Sequence, residues 1–220
     1  MKQNDIFFHP RGETIYTADL ADACRQVHLA VLPSPVAHGR IVKLDAEAAK
    51  RRPGVVAVFT AADIPGENQI GGIIPDEPLL ADGDVHYVGQ PVAFVAAESP
   101  LQARRALEAI ALEVEDLPAV FDPRQAAAQD LLITPGRTFA LGDVEKAWPL
   151  CEVVVAGRVD SGGQEHLYLE TQAAVALPVD KGTLRVISAT QSPTVVQRTI
   201  ARVLGLPMSQ VAVEVYRLGG

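Results

Sequence analysis

The 220-residue sequence predicts an α+β fold, and three observations carry that prediction. Apolar residues recur with period two in several short segments, the signature of half-buried strands. Two helices open on a serine followed by a proline, at Ser99-Pro100 and Ser192-Pro193, a start that pairs an N-cap acceptor with a residue lacking an N–H. Gly- and Pro-rich turns separate strands and helices in mixed order, without the regular strand–helix alternation of a doubly wound sheet.

Composition narrows the function classes. A hydrophobic fraction of 48% supports a core, and a formal charge of -8 with a pI near 5.1 argues against a nucleic-acid binder, which needs a basic face for phosphates. The longest basic run, Lys50 to Arg52, reads as a solvated helix end. No apolar run approaches a membrane span, and the start "MKQNDIFFHPRGE" lacks the apolar stretch of a signal peptide. The expectation is a soluble, cytoplasmic protein that binds neither nucleic acid nor membrane. Cys24 and Cys151 are the only cysteines, which excludes an iron–sulfur or Cys-rich zinc site built from this chain alone. Cys24 and His28 lie on a strand-like run where their spacing does not converge, so both read as structural. No HExxH, Walker A or GxGxxG pattern occurs.

Along the chain, "QVHLAVL" (26–32), "GRIVKLD" (39–45) and "GVVAVFT" (54–60) read as strands, with a short helix in "AEAAKRR" between the last two. "IPGENQIGGIIPDEPLLADGD" is a loop by its Gly, Pro and Asp content. "VHYVGQPVAFVAAES" gives two strand pieces with a bulge or kink at "GQP". Ser99, Pro100 and Gln102 mark a capping box; Ala103, Ala106, Leu107 and Ile110 make the buried stripe, and Arg104 and Glu108 are spaced for a surface ion pair. "ALEVED" is the next strand, closing a first unit over residues 1–123. Residues 124–150 read as a linker with short helical turns, one capped by Asp143.

Residues 151–220 form the second segment. "CEVVVAGRVDSGG", "HLYLETQAAVALP" and "TLRVISATQ" read as strands. The helix after them is capped by Ser192, ends before Gly205, and buries Val195, Val196, Ile200, Val203 and Leu204; "QVAVEVYRL" is a last strand. In "GGQEHLYLETQAAVAL", extension would place Leu167, Leu169, Thr171, Ala173, Val175 and Leu177 on one face. Gln164, His166, Tyr168, Glu170 and Gln172 would share the other. A sheet with one wet side shows this alternation, and so does a binding site. Gly162 and Gly163 before Gln164 permit positive φ and close approach of a ligand, and a primary amide donates and accepts hydrogen bonds without adding charge.

"GGQEHLYLETQ" resembles the glutamine motif of the xanthine dehydrogenase and aldehyde oxidase family, the molybdenum hydroxylases. "PGVVAVFTAADIPG", "VHYVGQPVAFVAAES", "LEVEDLPAV", "ATQSP", "VLGLP" and the closing "RLGG" follow in the family's order, so the resemblance covers the chain from about Gly12 onward. Within the family the sequence looks most like the molybdenum-binding subunit of bacterial xanthine dehydrogenase. The resemblance implies a hammerhead α/β domain followed by the truncated start of the molybdopterin-binding domain. It also implies that Gln164 and Gly163 contact the cofactor, with Gln164 at the metal and Gly162, Glu165 and His166 in support.

Activity and partners follow from the same likeness. The family oxidises substrates by water-derived hydroxylation with hydride transfer to molybdenum, here a purine such as hypoxanthine or xanthine. FAD and iron–sulfur clusters would reside on partner chains of a hetero-oligomer. The family's general-base glutamate follows the glycine pair matched by Gly219 and Gly220 and has no counterpart here, and neither Glu165 nor Glu170 takes its place. No residue of this chain is therefore assigned as catalytic. Two further readings stand beside the purine hydroxylase: a non-catalytic truncated product that acts as a folded or subunit-pairing module, and part of an aldehyde or N-heterocycle oxidoreductase.

Overall fold

The computed structural model describes residues 5–23, 26–170 and 172–219. The expectations for Cys24, for Thr171 on a core face and for Gly220 lie outside the described residues. The elements in chain order are α1 (Asp5–Arg11), β1 (His28–Pro33), β2 (Gly39–Asp45), α2 (Glu47–Lys50), β3 (Val55–Phe59), β4 (Asp84–Val85), β5 (Pro91–Ala97), α3 (Pro100–Leu107) and β6 (Ala111–Asp116). They continue with α4 (Pro123–Ala128), α5 (Val144–Ala147), β7 (Ala174–Val179), β8 (Thr183–Ser188), α6 (Pro193–Leu204) and β9 (Val211–Glu214). One compact unit joins the chain up to Pro118 with the chain from Leu167 onward; Ala119–His166 form a second.

In the first unit, β5 lies between β1 and β3, and β2 lies between β4 and β6, all antiparallel. The central strand β5 is apolar throughout, and Val92, Ala93, Val95 and Ala97 are fully buried. The stripe predicted for α3 is the face that packs: Ala103, Ala106 and Ile110 are buried, and Ala106 and Ile110 join Ala46, Ala49, Val58 and Val95 in one core. A second core gathers Ala81, Val85 and Val92 against Ile41, Leu44, Leu112 and Val114. The Ser99 hydroxyl accepts from the Gln102 N–H at 3.3 Å and donates to Gln102 Oε1 at 2.7 Å, so the cap forms but closes on the hydroxyl and not on the Ser99 N–H. Arg104 and Glu108, the helical C-cap of α3, form no ion pair.

The kink predicted at "GQP" is present. Gly89 has φ 92° and the pairing of β1 with β5 slips where Pro33 meets Pro91. Gln90 is buried there, its Oε1 accepting the His86 N–H at 2.7 Å and its carbonyl accepting the Ser34 N–H at 2.8 Å. A buried side-chain amide is stable only with such partners.

The same unit contains a third sheet in which β7 pairs antiparallel with β8, and β8 pairs parallel with β9 across α6. Arg185 and Glu214 face each other across that parallel pair at 2.7 Å; the hydrogen bond from Arg185 holds the Glu214 carboxyl below the usual carboxylate range. The buried face of α6 differs from expectation. Val203 is buried and Val196 and Ile200 are half-buried as expected, whereas Val195 and Leu204 are exposed and Ala201 is buried. The side chain of Ser192 caps nothing: its carbonyl starts the helix by accepting from Val195 and Val196, and its N–H donates to Thr190 Oγ1 at 3.1 Å.

Candidate functional site

The glutamine motif divides between the two units. Gly162, Gly163, Gln164, Glu165 and His166 belong to the 119–166 unit, where helical turns are α4 and α5. Asp143 caps α5 as predicted, accepting the Lys146 N–H at 3.1 Å, and Lys146 draws its carboxyl below the usual range. The strand expected over 151–163 does not form. Val153, Val155 and Val159 are exposed and no ladder joins them to another described strand. A β-branched run becomes a strand only when a neighbour takes its N–H and C=O groups. Local polar contacts hold the segment instead, with Arg158 donating to Asp160 at 2.8 and 3.1 Å.

Gln164 is exposed, and its amide makes no hydrogen bond with another described residue. Gly162 and Gly163 do not use the positive φ that glycine permits. A Cβ at either would meet nothing within 4 Å. Among the described residues no three His, Cys, Asp or Glu side chains gather to hold an ion. A neutral amide at Gln164 suits the role of hydrogen-bond donor to a ligand of a bound metal centre, not that of a charged metal ligand.

The polar row also breaks. Leu167 and Glu170 have φ of 47° and 49°, outside the extended region, and Leu167 and Leu169 are exposed; the alternation resumes only from Ala174, with Val175 and Leu177 turned inward. Non-glycine residues hold such φ values when the surroundings fix them. The surroundings here include Glu170 Oε1, which accepts the Ala18 N–H at 2.6 Å, while Oε2 is buried without a partner. Tyr16, Asp19, Tyr168, Glu170 and Gln172 line a cavity of about 620 Å³ beside it. The alternation placed Glu170 on the polar face, solvated or part of a site; its partner is 152 positions away, and no local pattern marks that bond.

A model of the aldehyde oxidase and xanthine dehydrogenase a/b hammerhead domain matches residues 11–118, and one of the molybdopterin cofactor-binding domain matches residues 126–220. The chain belongs to the aldehyde oxidase and xanthine dehydrogenase family. Its fold is the hammerhead domain plus the start of the molybdopterin-binding domain. Among family members, xanthine dehydrogenase 1 of Arabidopsis thaliana is 39% identical over 95% of this chain and 16% of its own length. Aldehyde oxidase 2 of Cavia porcellus is 36% identical over 96% of the chain and 16% of its own length. The solved aldehyde oxidoreductase from Desulfovibrio gigas superposes with a TM-score of 0.88 at 29% identity, over 99% of this chain and 26% of that one. This chain thus spans about one sixth of the length of the curated relatives it matches. Gln164 and Gly163 lie inside the molybdopterin-domain match.

Proposed function

We propose that this chain is part of a molybdenum-dependent hydroxylase that oxidises hypoxanthine or xanthine, and that Gln164 and Gly163 are its contacts to the molybdopterin cofactor. The observation that carries the reading is the state of Gln164: an exposed, uncharged amide with no hydrogen bond to another described residue, behind two glycines whose missing Cβ atoms leave open space. When bound, the cofactor supplies a two-electron acceptor. Gln164 Nε2 donates a hydrogen bond to a ligand of the metal, and its neutrality leaves the charge of the centre unchanged. Gly163 lets the backbone lie close to the cofactor, and Glu165 and His166 flank the amide as structural support.

The hammerhead domain is proposed to end at residue 123, with a linker over 124–150 and the molybdopterin-binding segment over 151–220. Iron–sulfur and FAD centres that carry electrons away from the molybdenum are proposed to reside on partner chains of a hetero-oligomer. No helix among the described residues is long and apolar enough to cross a membrane; a cytoplasmic location is part of the proposal. Aldehyde oxidation is the second reading, favoured by the near-equal identities of 39% to a xanthine dehydrogenase and 36% to an aldehyde oxidase. The test is molybdenum analysis and turnover of the full-length protein with hypoxanthine, xanthine and aromatic aldehydes. Stoichiometric molybdenum with purine turnover is expected; turnover of aldehydes alone replaces the substrate assignment, and a molybdenum-free protein rejects the reading.

A further inference from the structure

The end of α6 is closed twice. Gly205, in the left-handed region at φ 65°, and Leu206 turn back on the helix, their N–H groups reaching the Arg202 and Ala201 carbonyls at 3.3 and 2.8 Å. That closure leaves the Val203 carbonyl without an intrahelical donor, as the last turn of any helix does. The missing donor comes from the hammerhead domain. The Gly66 N–H donates to Val203 O at 2.9 Å and the Glu67 N–H to Arg202 O at 3.1 Å. A Cβ on Gly66 would overlap the Arg202 carbonyl and sit 2.6 Å from Gly205 N, so only glycine allows this approach.

Side chains make the contact reciprocal. Arg202 Nη2 donates to the Gln69 carbonyl at 2.7 Å and the Gly71 carbonyl at 3.4 Å, and its Nε lies 3.8 Å from Glu67 Oε2. The loop arrives already shaped. Asn68 exchanges two hydrogen bonds with the Leu80 backbone, and Gln69 Oε1 accepts the N–H groups of Gly71 and Glu77. A self-bonded loop loses little further entropy on docking.

We infer that loop 65–80 is a helix cap supplied by the hammerhead domain, on which the order of α6 and β9 in the molybdopterin-binding segment depends, with Arg202 as its positioning residue. The hammerhead then serves as a template for the segment that follows it.

Hydrogen–deuterium exchange on this chain tests the inference with Gly66→Ala, Arg202→Met and the control Gly72→Ala, where a Cβ meets nothing within 4 Å. Amides of α6 and β9 are expected to exchange roughly tenfold faster in Gly66→Ala and roughly fivefold faster in Arg202→Met. Amides of β5 should stay unchanged in both, and Gly72→Ala should match wild type throughout. If Gly66→Ala does not fold, Arg202→Met decides. Wild-type exchange in α6 and β9 of a folded variant, or equal loosening of β5 and α6, overturns the inference.

Discussion

Two valine-rich runs meet opposite fates. In β5, "PVAFVAA" lies between β1 and β3, and Val92 and Val95 are wholly buried. In "CEVVVAGRV" of the 119–166 unit, Val153, Val155 and Val159 are 79%, 88% and 92% exposed and no strand forms. Both read as strands by residue type and alternation. What separates them is neighbours: β5 has a hydrogen-bonded strand on each side and α3 over one face. Strand propensity describes a side chain that fits a pleated surface, and the surface must be supplied by other strands.

A buried charge is the most direct way to break this contrast. Val95→Asp should leave an unpaired carboxylate in the core and abolish cooperative unfolding of the first unit, at a cost of about 4 kcal/mol or more. Val155→Asp should shift the same denaturation midpoint by less than about 0.5 kcal/mol. Gly39→Val ranks next. Its first added carbon would lie 2.7 Å from the Glu115 carbonyl and 2.9 Å from Val36, where β2 pairs with β6. A loss of about 2 kcal/mol is expected from such overpacking, read by urea denaturation. Ser99→Ala removes the acceptor for the Gln102 N–H and should cost about 1 kcal/mol in the same assay.

The smallest effect is acid sensitivity of the third sheet. Glu214 titrates below its ordinary value of 4.5 because Arg185 hydrogen-bonds the carboxylate. A carboxylate depressed in the folded state stabilises it fully above its unfolded pKa and loses that contribution as pH falls through the lowered value. Exchange of β9 amides, corrected for its intrinsic pH dependence, should therefore be constant above about pH 5 and rise below about pH 4. In Glu214→Gln that rise should vanish.

Most of the first unit was legible because its determinants are local. Ser99 and Pro100 start α3, Ala103 and Ala106 set its buried face, and Gly89 and Pro91 mark the kink. The third sheet was legible in β8, α6 and β9, with the α6 face misjudged, since Ala201 buries where the larger Val195 and Leu204 do not. The region around the candidate site was the least legible. The strand expected over 151–163 does not form and the one expected over 166–178 begins only at Ala174, because the earlier residues required partners that no pattern within them specifies. Two bonds of the first unit, from the Ala18 N–H to Glu170 and from the Gly66 N–H to the Val203 carbonyl, join residues far apart in the chain. Gln164 was singled out by its place behind two glycines and by the family motif around it; its exposure and open approach come from the structure.

Turnover per bound molybdenum in the full-length protein, wild type against Gln164→Ala, tests the central assignment most directly. Loss of one preorganised donor should lower turnover roughly 100-fold while molybdenum content is retained. Unchanged turnover at equal metal content would contradict a role for Gln164 at the metal.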